Sequence, residues 1–154
     1  MTRTLVAGFG NVLRGDDGFG VEVIRQLEGE RLPDGVTLME IGTGGIRLAQ
    51  ELLSPYDHLI IVDAMTRGGA PGSLYTLQVD DVEAATSVDL HTAVPSRALA
   101  IAKALGGLPA RVHLIGCEPQ NVDDLLADLS ASVRGAIRPA VDSIRALVNA
   151  GGTL

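Results

Sequence analysis

Four side chains in this sequence stand where metal or acid–base chemistry could be done. They are the neighbouring carboxylates Asp16 and Asp17, the carboxylate Asp63 and the imidazole His91. Asp16-Asp17 closes a glycine-rich stretch that starts from the apolar run Leu5 to Ala7. Asp63 directly follows His58-Leu59-Ile60-Ile61-Val62, the most strand-like run in the chain. His91 precedes a helical pattern that begins near Pro95. One carboxylate of the pair, with Asp63 and the imidazole, forms a mixed oxygen and nitrogen donor set suited to a borderline divalent ion such as nickel, zinc, iron or manganese. Residues so scattered can meet only if the fold gathers the ends of separate strands, as a parallel sheet does. Each also has a plainer role open to it. Asp16 suits a helix cap, Asp63 a loop cap, and His91 a surface or hydrogen-bonded histidine.

Strand, glycine loop and helix, over residues 5–20, is also the layout of a phosphate cradle, and the residues exclude that use. Gly10 and Gly15 have the Walker spacing, but Asp16 and Asp17 fill the Lys and Ser/Thr places and would repel a polyphosphate. The dinucleotide fingerprint fails as well, because Leu13 stands where its third glycine belongs. What remains is a loop that sets carboxylates near a helix N-terminus, at the carboxyl end of a strand. Other hydrolytic marks are missing: there is no His-Glu-x-x-His and no Gly-x-Ser-x-Gly. Cys117 reads as a small buried hydrophobe, with a nucleophile paired to His91 as the alternative. His58 and His113 read as structural, one at a strand entrance and one inside a strand.

The elements that must position these groups alternate along the chain. After Asp17, the pattern Phe19, Val21, Val23, Ile24, Leu27 predicts an amphipathic helix ending near Glu30. A second strand follows over 36–41, a flexible loop over 42–45, and a helix over 46–53 stopped by Ser54-Pro55. The strand 58–62 leads through a Gly/Pro-rich loop to a strand over 73–78. That strand is expected to run antiparallel, since no helix separates it from its predecessor. Residues 79–90 are polar and irregular. A helix runs from near Pro95 through Leu99, Ile101, Ala102 and Leu105, and a fifth strand spans 111–116. The last helix is expected over 132–149, with Val133, Ile137, Val141, Ile144 and Val148 on one face and a kink at Pro139. Strands alternating with helices predict an α/β fold, a three-layer α/β/α sandwich on a mostly parallel, twisted five-stranded sheet.

The bulk composition bounds the function. The chain has 154 residues and a formal charge of −7, which predicts one domain over 1–154 with a substantial aliphatic core. An acidic balance argues against nucleic acid or an anionic membrane as the main partner. A single cysteine excludes an internal disulfide and a cysteine-based zinc cluster. No signal peptide or membrane-length apolar run is visible, so a cytoplasmic location is expected.

The motifs together resemble a known family. Gly8-x-Gly10-Asn11-x-Leu13-x-x-Asp16-Asp17-Gly18-x-Gly20, then Leu59-Ile60-Ile61-Val62-Asp63-Ala64, then His91 ahead of an Ala/Leu helix, resemble the hydrogenase maturation proteases. These endopeptidases trim the C-terminus of the [NiFe]-hydrogenase large-subunit precursor. The likeness runs over nearly the whole chain in matching order. It implies a twisted five-stranded sheet between helices, and it implies Asp17, Asp63 and His91 as both catalytic and metal-contacting residues. The implied metal is nickel, presented by the precursor, which is the implied partner; a monomer is expected. Asp17 stands where the family often has glutamate. Thr43-Gly44-Gly45 matches the family's second loop in part, with Glu40-Ile41 replacing the more usual Asp-Gly, and Val94 replaces a glycine often seen there. Two other classes compete. One is a non-catalytic scaffold that binds hydrogenase precursors. The other is a phosphoacceptor receiver-like domain, which would need a lysine where this chain has Gly116-Cys117-Glu118.

Overall fold

A computed structural model of the chain describes residues 2–42, 45–79, 103, 106–121 and 128–150. Five strands form one sheet in the order β2-β1-β3-β5-β4. They are β1 (Thr4–Phe9), β2 (Val36–Gly42), β3 (His58–Ala64), β4 (Leu74–Gln78) and β5 (Arg111–Cys117). β1 pairs in parallel with β2 and β3, and β3 in parallel with β5. β4 lies antiparallel on β5, from Leu74 opposite Cys117 to Gln78 opposite His113. The antiparallel direction agrees with the sequence reading. The partner is β5 rather than β3, because β1 and β5 already occupy both edges of β3.

The central strands are apolar on both faces, which is the pattern of a sheet covered on both sides. Side chains alternate along each strand, so Leu5, Ala7, Leu59, Ile61, Val112 and Leu114 face one layer. There they pack with Leu48 and Leu52 from helix α2 (Ile46–Glu51) and the turn after it. Val6, Ile60, Val62 and Ile115 face the other layer and pack with Phe19, Val23, Ile24 and Leu27. Those four come from helix α1 (Phe19–Glu28), which presents one apolar stripe to the sheet. The architecture is an α/β/α sandwich.

The chain's last helical stretch differs from expectation. It is not one helix kinked at Pro139 but two, α3 (Ala131–Arg134) and α4 (Ile137–Ala150). The break falls at Gly135-Ala136, where glycine is a poor helix former. Pro139 sits in the first turn of α4, where its missing N–H has no intrahelical partner to lose. Ala140, Val141, Ile144 and Val148 then form the buried stripe. Almost all of the helix expected over 95–105, and most of 79–90, lies outside the described residues.

Candidate active site

The chain runs from β1 outward to β2 on one side, and β3 then adds on the other side of β1. The strand order therefore reverses between β1 and β3, and the crevice outside their carboxyl ends is the place where such sheets hold ligands. Gly8 of β1 lies in register with Val62 of β3. The residues that follow, the loop from Gly10 and Asp63 itself, flank that crevice.

The loop after β1 is built by its glycines and its asparagine. Gly10 has φ 126°, and its N–H donates to the Gly42 carbonyl at 2.8 Å. A Cβ at Gly10 would lie 1.8 Å from the Asp17 carbonyl oxygen and 3.7 Å from Oδ1 of Asp63. Only glycine lets the loop pass between the two acidic residues. The Asn11 Oδ1 accepts the Leu13 N–H at 2.9 Å, an Asx turn, and the Asn11 N–H donates to Oδ2 of Asp17 at 2.9 Å. A 3-10 turn, Gly15–Gly18, then leads into α1. Behind it, a Cβ on Gly20 would come within 2.2 Å of the Val62 carbonyl and 2.4 Å of the Phe9 carbonyl. The first turn of α1 thus rests directly on the backbone of β1 and β3, which fixes the loop over the crevice.

The acidic pair separates into two roles. Asp16 is fully buried and its side chain caps neither the 3-10 turn nor α1. Instead it accepts the N–H groups of Gln120 (2.8 Å), Asn121 (2.8 Å) and Ser130 (2.7 Å) and the Ser130 hydroxyl (2.9 Å). Burial pushes its carboxyl up, but these donors outweigh that and hold it below the usual carboxylate range. Asp16 is a clasp between the first loop and the segment after β5. Asp17 is only half-buried. Among the described residues the Asn11 N–H is its one hydrogen-bond donor, and it binds Oδ2. Asp63 ends β3 opposite Gly116 of β5 and is 4% exposed.

The structure therefore brings Asp17 and Asp63 to one crevice, while His91 lies outside the described residues. Among those described, no group of three His, Cys, Asp or Glu side chains stands close enough to hold a metal.

Comparison with known proteins gives this crevice its context. A family model, HycI: Hydrogenase maturation protease, matches residues 21–147. The chain belongs to the hydrogenase maturation protease family. It is 40% identical over 152 residues to the hydrogenase expression/formation protein HupD of Rhodobacter capsulatus, covering 94% of this chain and 72% of that one. It is 30% identical over 154 residues to the hydrogenase 2 maturation protease of Escherichia coli, covering 97% and 93%. The structure of the hydrogenase maturating endopeptidase HybD from E. coli superposes with a TM-score of 0.86 at 30% identity, covering 98% of this chain and 94% of that one.

Cys117, His58 and His113 have surroundings of a structural kind. Cys117 is fully buried. Burial, with the carboxylates Asp16 and Glu118 nearby, pushes its thiol up to about 12. That burial suits the reading of Cys117 as a small hydrophobe; the alternative, its pairing with His91, falls on a residue outside those described. His58 Nε2 and His113 Nδ1 are 2.7 Å apart. Burial first, then Arg111 and His113, pushes His58 down to about 4, and burial and Arg111 lower His113 also. Both rings are neutral at pH 7. Among the described residues Nδ1 of His58 is buried without a partner, so the arrangement with the His58 Nε2–H donating is assigned, because a bare acceptor costs less than a buried unpaired N–H.

Sequence reasoning missed Glu118. Its Oε1 accepts the N–H groups of Arg67 (2.8 Å) and Gly69 (3.0 Å) and the Tyr75 hydroxyl (2.6 Å). Burial raises its carboxyl, but the Tyr75 hydroxyl and the N–H groups of Arg67, Gly69 and Gly68 carry it below the usual range. It secures the loop after Asp63. The signal for it was a glycine-rich loop at 66–72 whose N–H groups needed an acceptor. The receiver-like alternative is set aside by the family membership. The first acid of the pair is also consumed as a clasp.

Proposed function

We propose that the protein is the endopeptidase that removes the C-terminal extension of a nickel-loaded [NiFe]-hydrogenase large-subunit precursor. The observation that carries this reading is the meeting of the Asp17 loop and Asp63 at the strand-order reversal, in a chain of the maturation protease family. Nickel here is cargo of the substrate. Asp17, Asp63 and His91 are proposed as its added ligands and as the catalytic set, His91 on its motif alone. Two carboxylates with an imidazole suit a borderline divalent ion, and such an ion polarises a carbonyl or acidifies a bound water.

The chain's own contribution is positioning. Asp17 is steered by the Asn11 N–H, which binds its Oδ2. Asp63 is held by a strand with neighbours on both sides. Gly10 lets the loop pass between the Asp17 backbone carbonyl and the Asp63 carboxylate. Recognition through cargo confines cleavage to precursor that has already received its metal.

The test incubates the protein with nickel-loaded and nickel-free precursor and reads the intact mass of the product. Loss of a defined short tail from the loaded form only is the expected result. Trimming of both forms removes nickel from recognition, and binding without trimming of either makes the protein a scaffold.

A further inference from the structure

Next to the Asp17 loop lies a second feature that the proposed chemistry does not use. A groove of about 380 Å³ is lined by Gly10, Val12, Leu13, Ile41, Arg25 and Arg47, among others. Its volume falls in the range of small-ligand sites. Val12 is 39% and Leu13 52% exposed, and Ile46, next to Arg47 in the chain, is 66% exposed. Apart from Leu53, these are the exposed large apolar side chains among the described residues. Two of the four, the chain neighbours Val12 and Leu13, line the groove and give it an apolar wall beside the Asp17 loop.

The groove's charge is equally uneven. The Arg25 guanidinium is matched by Glu22 at 3.2 Å and Glu40 at 3.3 Å. The Arg47 guanidinium instead donates to the Glu40 backbone carbonyl at 3.0 Å, a neutral acceptor. Among the described residues no carboxylate pairs with it. Glu40 lines the groove too, but its carboxylate is engaged by Arg25, so among the described residues Arg47 is the groove's exposed cation that no carboxylate pairs, beside an apolar wall. One end of the groove is Gly10, the residue between Asp17 and Asp63.

We propose that this groove holds an extended segment of the substrate precursor, with an apolar side chain against Val12 and Leu13 and a carboxylate on Arg47. The inference rests on the proposed function for its partner and adds what that partner must carry beside the processed bond. A guanidinium accepts a carboxylate through two parallel N–H donors. The apolar contact and the ion pair lie on one side of the reacting crevice and select the segment that enters it.

The experiment measures the affinity of the full chain for nickel-loaded precursor by calorimetry, for wild type, Leu13→Asp, Arg47→Glu and Arg47→Ala. Binding is read independently of cleavage. A rise in Kd of about tenfold or more is expected for Leu13→Asp and Arg47→Glu, since one lost charged or apolar contact is worth that much. The salt dependence of wild-type binding is expected to be shallower in Arg47→Ala, which a merely structural role for Arg47 does not give. Both side chains are exposed, so circular dichroism melts serve as the folding control. Wild-type binding that survives both substitutions overturns the groove and leaves the protease reading standing. Groove-dependent binding without trimming supports the groove and overturns the protease reading. An absence of wild-type binding overturns both.

Discussion

Strand β3 carries a buried titratable side chain at each end, His58 fully buried and Asp63 4% exposed. Equal burial has led to opposite uses. At the amino end the imidazole lies against His113 at 2.7 Å, with Arg111 adding positive charge. Every neighbour there disfavours its charged form, and the pair is silenced as neutral packing. At the carboxyl end Asp63 faces Gly116 across the ladder and Gly10 over the loop, with an oxygen 3.7 Å from where a Cβ at Gly10 would stand. The carboxylate there stands at the sheet edge where the strand order reverses, the place that the proposed function uses. Burial alone does not distinguish a site from a core; what surrounds the group does.

The sharpest way to break that contrast is Asp63→Asn, which keeps shape and removes charge. On the proposed reading, trimming of loaded precursor falls by about a thousandfold or more, some 4 kcal/mol in barrier, while circular dichroism shows the fold retained. Next is Asp16→Ala, one residue before Asp17 in the same loop but on the structural side of the comparison. It leaves buried donors unpaired and is expected to cost about 3–4 kcal/mol of stability in urea denaturation. Its loss of activity is expected to follow the loss of folded protein.

The histidine end gives the smallest effect, and its direction is fixed by linkage. In the folded chain His58 is near 4, against about 6.5 for an unfolded histidine. Between those values the unfolded state binds more protons, so stability rises with pH through that window, is complete above it, and is lost as pH falls. The contribution is roughly 3 kcal/mol, read as the urea midpoint from pH 7 down to pH 4. A flat profile there, with a histidine resonance titrating near 6 assigned to His58, breaks the contrast.

Much of this was legible in the sequence, because it rested on local signals. The run His58 to Val62 announced a doubly covered strand, and its end marked Asp63. The glycines announced a loop, and Asp16-Asp17 with Leu13 excluded a phosphate cradle. The helix break was misplaced because proline was weighed over Gly135, although a proline in a first turn has no intrahelical partner to lose. The edge position of β4 and the role of Asp16 were not legible at all. Both depend on partners far along the chain: Asp16 finds its donors 104, 105 and 114 residues away. No spacing rule reaches that far. Glu118 was hidden for a related reason, since its partners Arg67 and Gly69 lie 51 and 49 residues earlier.

That distance has a consequence for the life of the chain. The clasp on Asp16 draws its donors from residues that the ribosome makes after all five strands. Contacts of such separation bear the loop-closure entropy and form when most of the topology is already in place. A growing chain that has reached only β3 carries Asp17 and Asp63 but not the segment that steadies their loop. On the proposed reading, the crevice is thereby withheld until the segment after β5 has been made, and a product that stops short of it lacks an ordered place to cut.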